Sequence, residues 1–368
     1  MIPLIKVQLS EDEIAAATRV LQSGALRQGA ITAQFEETFA KQVGAAYAVA
    51  VSSGTAALHL PYLHMLKPDD EVLLPTFTFI ATASMVSLVG ARPVFCDVDP
   101  QTFTIDIADA RRRVTPRTRA IAPVHLFGNP CEVAAIIQLA QEFNLKIVWD
   151  AAQAHGATYG GKDVGGLDHA VAYSFYPSKN MFVGEGGMIT TNDAALYERL
   201  KLTRSHGQSG TYLHTCLGFN YRLTDVEAAI GLKQLEKLDD LVGRRRANAA
   251  YLSSHLQKLP VIQTPVTQAG GTHSFNQYSI TLKLEALTCT RDEFAEALNQ
   301  LGVGTGVHYP RGLHQQPVFM DLYGSVSLPV SEHLAECILA LPVHPFLQAG
   351  ELEAIVEAVK TVCERFAT

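Results

Sequence analysis

The chain has 368 residues, 48% of them hydrophobic and 18% charged, with a formal net charge of -7, enough apolar material for a large core and a second lobe. The acidic balance excludes a basic footprint for nucleic acid, and the arginine runs at 111–113 and 244–246 read as solvated helix faces. Six cysteines without CxxC spacing suggest neither a zinc site nor a disulfide framework, and the absence of a signal-like start or a membrane-length apolar run predicts a soluble, cytoplasmic protein.

"SEDE" at 10–13 is a capping box, Ser10 with Glu13; it predicts a helix with Ile14, Ala17, Val20 and Leu21 at helical spacing, ended by Gly24. From there to about residue 240, short β-branched runs alternate with helical stretches: "YAVAVSSG", "EVLLP", "PVFCDVD", "AIAPVHLFG", "KIVWDAA", "AVAYSFYPS" and "GMITTND". Strands of this length, each followed by a polar or glycine turn and a helix, predict an α/β fold with a mostly parallel sheet covered on both faces. A second capping box, Thr224 with Glu227, opens a long helix carrying Leu232, Leu235, Leu238 and Leu241, and its length suits a bridge between lobes. The remainder mixes "QYSITLKL" with "RDEFAEALNQLG" and "ELEAIVEAVKTVCERF", which predicts a smaller α+β domain. The expected division is an N-terminal arm with a large domain over 1–240 and a small C-terminal domain over 241–368.

In open α/β sheets ligands bind beyond the carboxyl ends of the strands, so chemistry is sought there. "VSSGTAALHL" passes from strand to helix through Ser53, Gly54 and Thr55, the spacing of an ordinary capped helix and equally of an anion seat built from helix-start N–H groups. "KIVWDAAQAHG" ends a β-rich run on Asp150, followed by Gln153 and His155; that aspartate is either an N-cap or a buried carboxylate needing a cation. "AVAYSFYPSKN" places Ser174 at a strand end and Lys179 shortly after it, and "LLPTFTFIATAS" places Phe77 and Phe79 at a helix start, Phe77 as core.

A phosphate seat, a flat aromatic surface, a carboxylate and an amine together form the inventory that pyridoxal phosphate requires. The lysine would form the imine, the carboxylate would keep the pyridine nitrogen protonated, the aromatic face would stack on the ring, and backbone amides would hold the phosphate. "DVDP" at 97–100 reads as one strand-end aspartate and one turn cap, and the histidines lack HxxH or HExxH grouping, so no metal site is expected. "GEGG" at 184–187 reads as a tight turn, while "HYPRGLH" gathers His308, Tyr309, Arg311 and His314 in a loop that either contacts substrate or is an exposed connector.

In the order "SGTAAL", "PTFTFIATA", "GARPVFCDVD", "PVHLFG", "DAAQAHGA", "SFYPSKN", "GEGGMITTND", "GFNYRLTDVEAAIGLKQL", "GVHYP" and "LPVHP", the chain resembles the DegT/StrS family of sugar aminotransferases from end to end. The resemblance implies the fold-type-I, aspartate aminotransferase-like architecture and a homodimer with shared active sites. Carried over by motif, Lys179 would form the imine and shuttle a proton, Asp150 would bind the pyridine nitrogen, Gln153 would lie near the ring hydroxyl, and Phe79 would stack. Gly54, Thr55, Ala56 and Ser174 would hold the phosphate, helped by Asn220 of the neighbouring subunit, with His308 and Tyr309 near the sugar. Trp149 departs from the family, which more often has an acidic residue there.

The expected activity is transfer of an amino group, from L-glutamate, to a keto group of a nucleotide-linked sugar. Two alternatives stand beside it: an aminocyclitol transaminase or aminohydroxybenzoate synthase-like enzyme, and a non-catalytic pyridoxal phosphate-binding sensor.

Overall fold

The computed structural model describes residues 1–368. Seven strands form one sheet: β1 (Tyr47–Val51), β2 (Glu71–Pro75), β3 (Arg92–Cys96), β4 (Thr118–Ile121), β5 (Lys146–Asp150), β6 (Ala170–Ser174) and β7 (Gly187–Thr191). Their order is β1-β7-β6-β5-β4-β2-β3. Neighbours from β6 to β3 run parallel, and β7 alone lies antiparallel to both its partners. These are the seven runs expected from the sequence, in a mixed, mostly parallel sheet.

The strands are apolar on both faces because helices cover both, and the period-2 alternation divides them cleanly. On β5, Ile147 and Trp149 join a cluster with Phe35, Phe39 and Val242, whereas Val148 joins Leu58, Leu60 and Tyr62 on the opposite face. Trp149 is fully buried, stacked 5.5 Å from His125, with its indole N–H donating to Asp168 O. It therefore faces away from Asp150, its neighbour in sequence, which accounts for a tryptophan being tolerated beside the expected carboxylate.

The N-terminal helix, Glu11–Ser23, has its capping box and ends at Gly24 with φ 72°. Its buried face differs from the expected one. Glu13, Ala16 and Val20 are buried, whereas Ile14 and Leu21 are each more than half exposed, because the helix lies along the long helix Asp225–Leu256 through Ala16, Val20 and Ala229.

Asp225, the first residue of the long helix, serves another helix. Its carboxylate accepts from the Gly29 and Thr32 amides at 2.7 and 2.9 Å and from the Thr32 hydroxyl at 2.6 Å, capping the helix Ala30–Val43 from a distant part of the chain. Charge-assisted bonds to otherwise unpaired helix-start donors contribute more than neutral ones. Asp225→Ala is expected to lower unfolding free energy by about 2 kcal/mol, read as a shift in the urea midpoint, while Asp225→Asn should lose less.

The long helix joins two cores. Leu235, Leu238 and Val242 belong to the large one, and Ala249, Leu252 and Leu256 to a second built on the antiparallel strands β8 (Ile262–Gln263), β9 (Tyr278–Leu282) and β10 (Ile338–Leu341). The expected boundary at 240/241 thus falls inside a continuous helix, with the hand-over between Val242 and Ala249. The first residues also sit elsewhere than expected: Ile2 pairs with Val303, and its N–H donates to Gly302 O at 2.7 Å, so the chain start lies on the small lobe.

The arginine run 244–246 corrects another expectation. Arg244 is exposed, but Arg245 is buried, donating to the Phe275 and Asn276 carbonyls, and Arg246 donates to His273 O and Gly156 O. Helical spacing alone did not distinguish a solvated charge from one clamping a loop. No helix is long and apolar enough to cross a membrane.

Candidate active site

The register of the sheet sets the site. Val51 of β1 and Ser174 of β6 both lie opposite Gly187 of β7, and Asp150 of β5 lies opposite Ala172 of β6. The carboxyl ends of β5 and β6 and the helix start after β1 thereby converge on a cavity of about 610 Å3, bordered by Gly54, Thr55, Phe79, Asp150, Ser174 and Lys179. Gln153, His308 and Tyr309 also border it. Ten of the eleven residues expected at the site are thus accounted for in or beside one chamber, with Ala56 just outside its lining.

Gly54 and Thr55 open the helix Gly54–Met65, so their N–H groups have no partner within it. Ala56 is different: its N–H already donates to the Ser53 side chain at 3.1 Å and its side chain is buried. Ser53 thus engages, as N-cap, the Ala56 donor expected to meet the phosphate. Glycine at 54 is required by proximity, because a Cβ there would come within 2.6 Å of Ser174 Cβ.

Asp150 is held on two sides. The Thr82 hydroxyl donates to Oδ2 at 2.8 Å and the Ala152 N–H to Oδ1 at 3.1 Å. Burial nevertheless dominates and raises the Asp150 pKa, opposed by these two bonds and by the charge of Lys179. Burial likewise pulls the Lys179 amine down to about 8, opposed by Asp150. A buried carboxylate whose ionised form is incompletely compensated and an amine whose pKa is pulled down to about 8 are the groups that a cationic heterocycle and an imine-forming aldehyde would engage.

Gln153 is clamped at both ends of its amide. Oε1 accepts from the Phe127 N–H at 2.7 Å, and Nε2 donates to the Tyr309 hydroxyl at 3.3 Å. Tyr309 is packed edge-on against the fully buried Phe77, 5.9 Å between centroids, and burial raises its phenol pKa, so it stays neutral. The His308 imidazole is pushed down, first by burial and then by the charge of Lys179. Phe79 borders the chamber and is 57% exposed, so its ring is left largely unpacked.

Not every expected residue reaches the chamber. Asn220 is exposed and pairs through its backbone with Ser205, so within one subunit it stands apart from the cavity. In the 308–314 loop, His314 is buried outside it, with Nδ1 2.7 Å from Thr76 Oγ1 and Nε2 3.2 Å from Glu332, and Arg311 is exposed away from the lining. Asp97 receives the Ser331 N–H and hydroxyl, while Asp99 caps a turn through the Gln101 and Thr102 amides, as "DVDP" suggested.

Thr82 was not singled out from the sequence. The available signal was Thr78 and Thr82 at i, i+4, which brings their hydroxyls within 3.3 Å of each other beside Asp150.

The Lys179 pKa carries a pH signature. The unfolded lysine titrates near 10.5 and the folded one at about 8, so between these values the unfolded chain binds the extra proton and stability rises with pH. Cofactor-free Lys179→Met is expected to lose that part of the slope. Urea midpoints of the two proteins at pH 8 and pH 10 measure it, and equal slopes would show the amine to be unperturbed.

Several known proteins are similar to this chain. A GDP-perosamine synthase of Caulobacter vibrioides is 38% identical over 339 residues, covering 91% of this chain and 90% of the relative. A UDP-N-acetyl-3-dehydro-alpha-D-glucosamine 3-aminotransferase of Acidithiobacillus ferrooxidans is 38% identical over 354 residues, covering 96% and 94%. Among solved structures, DesV of S. venezuelae, determined with a ketimine intermediate, superposes with a TM-score of 0.92 at 37% identity, covering 96% and 94% of the two chains. The putative sugar aminotransferase Spr1654 of Streptococcus pneumoniae, solved in both PLP and PMP forms, reaches 0.91 and 0.92 at 27% identity, covering 99% of this chain and 99% and 98% of its own. The model of the DegT/DnrJ/EryC1/StrS aminotransferase family matches residues 7–360. With the seven-stranded sheet, Asp150 and Lys179 bordering one chamber and this agreement over nearly the whole length, the chain belongs to the DegT/DnrJ/EryC1/StrS family of pyridoxal phosphate-dependent sugar aminotransferases.

Proposed function

We propose that this sugar aminotransferase takes its amino group from L-glutamate and delivers it to a keto group of a nucleotide-linked sugar. The observation that carries the reading is the single chamber in which buried Asp150 and the low-pKa amine of Lys179 face the open helix start at Gly54 and Thr55. Relatives named for a GDP-linked and a UDP-linked sugar support the nucleotide.

The residues present fit pyridoxal phosphate. Gly54, Thr55 and Ser174 would hold its phosphate, Asp150 its ring nitrogen, Phe79 its face and Gln153 its hydroxyl edge. When bound, the cofactor supplies a carbonyl that condenses with amines and a ring that withdraws electrons from the adjacent carbon. Lys179 Nζ acts as the base that removes the proton from the donor Cα and returns one to the acceptor carbon. Asp150 keeps its negative charge against the ring nitrogen, with Thr82 and the Ala152 amide fixing its direction. Gln153, clamped by Phe127 and Tyr309, holds its amide in place while substrates exchange. His308, held neutral, offers a hydrogen bond to the sugar rather than a charge.

Two copies would complete the site. Asn220 follows an exposed hairpin, Gln208–Gly210 with Leu213–His214, whose turn presents Tyr212 at 90% exposure, and Leu217 just after it is 95% exposed; a second subunit covering this surface would bring Asn220 to the partner's phosphate seat. The test is a half-reaction: cofactor-loaded protein given L-glutamate alone should release one 2-oxoglutarate per site, and the reverse reaction should consume an aminosugar nucleotide with 2-oxoglutarate. A requirement for both substrates before any product leaves would rule out the exchange.

A further inference from the structure

A second, smaller chamber of about 100 Å3 lies on another side of Lys179, between the chain start and the long helix. Lys6, Lys179, Lys237 and Arg245 border it, with Glu13 as the only carboxylate. Glu13 is already engaged: it pairs with Lys237 at 3.4 Å and accepts from Gln234 Nε2 at 2.6 Å. Lys6, Lys179 and Arg245 have no carboxylate within ion-pair distance.

Arg245 is the decisive group. It is 7% exposed, and its guanidinium uses Nη1 alone, on the Phe275 and Asn276 carbonyls at 3.3 Å each. Nε is buried without any partner. Nη2 also has no partner and, unlike Nε, is not sealed off; a buried guanidinium with that donor unused is costly unless an acceptor meets it, and a carboxylate oxygen is such an acceptor. The volume suits the carboxylate end of a small acid and little more.

We propose that this chamber is a carboxylate-binding site, in which Nη2 of Arg245 donates to one oxygen and Lys6 supplies the second positive charge. The carboxylate comes either from a free small acid or from the far end of a dicarboxylate whose remaining atoms lie outside. The inference does not rest on the identity of the amino donor. It makes the chamber a point at which anions act on the lysine from outside the cofactor chamber.

The test titrates 13C-formate into cofactor-loaded protein and follows its NMR line width, with acetamide as a neutral control. Saturable broadening is expected for the wild type, weakened at least tenfold in Arg245→Lys, which keeps a positive charge and removes the Nη2 donor, and in Lys6→Gln, an exposed position whose change leaves folding intact. Glutarate, a five-carbon dicarboxylate without an amine, distinguishes the sources. Competition with formate assigns the site to a dicarboxylate's far end, and absence of competition assigns it to a free acid; either result supports a carboxylate site. No saturable broadening in the wild type, equal broadening by acetamide, or unchanged affinity in both variants would overturn it, while cofactor content, measured separately, reports on the main site.

Discussion

Lys179→Ala is expected to lower amino transfer by at least about 10^4-fold, since proton transfer by a placed base alone contributes roughly 10^2–10^4 and loss of a residue acting in a unit removes more. The reason is the amine's state. At a pKa of about 8, roughly a tenth of it is free base at pH 7, against well under a thousandth for an ordinary lysine. Burial supplies that reactivity, and Asp150 limits how far it goes. Borohydride reduction followed by mass spectrometry should find the cofactor on the peptide containing Lys179 in the wild type and on no peptide of the variant. Cofactor fixed at another lysine, or undiminished turnover in Lys179→Ala, would remove the basis of the proposed chemistry.

Asp150→Asn should separate two effects of opposite sign. Without cofactor, the protein should gain about 1 kcal/mol at neutral pH, because burial raises this carboxyl's pKa despite the Thr82 and Ala152 bonds, leaving an ionised group incompletely compensated. With cofactor, affinity should fall by about 1.5–3 kcal/mol, the size of a charge-assisted hydrogen bond to the ring nitrogen, and turnover should fall about 10^2-fold or more as the ring loses its proton. Urea midpoints of the cofactor-free proteins and equilibrium dialysis of the cofactor measure the two halves. A variant less stable without cofactor and unchanged in binding it would identify Asp150 as a structural cap.

The local signals in this chain are strong where an interaction spans a few residues. The capping boxes Ser10/Glu13 and Thr224/Glu227 form where their three-residue spacing places them. The seven β-branched runs became seven strands because a short continuous apolar run with a turn at each end requires no distant partner to be recognised. Phe77 in the core and the two roles of Asp97 and Asp99 were readable for the same reason.

What escaped the sequence lies across long separations. Thr82 meets Asp150 over 68 residues, Gln153 meets Tyr309 over 156, and Asp225 caps a helix start 193 residues earlier. Local patterning carries no record of strand order, and these contacts follow from it: β5 must lie between β4 and β6, and the long helix must run along the N-terminal helices, before the partners are near. Arg245 shows the same limit, since three consecutive arginines share one local composition and only packing of the 273–276 loop buries one of them. The sequence by itself determined which strands and helices form and which chemical groups stand at their ends, because those depend on short-range periodicity and capping. Only the tertiary structure decided which of those groups meet, which donors are already taken, and which charges are left without a partner, because each depends on the order in which the strands assemble.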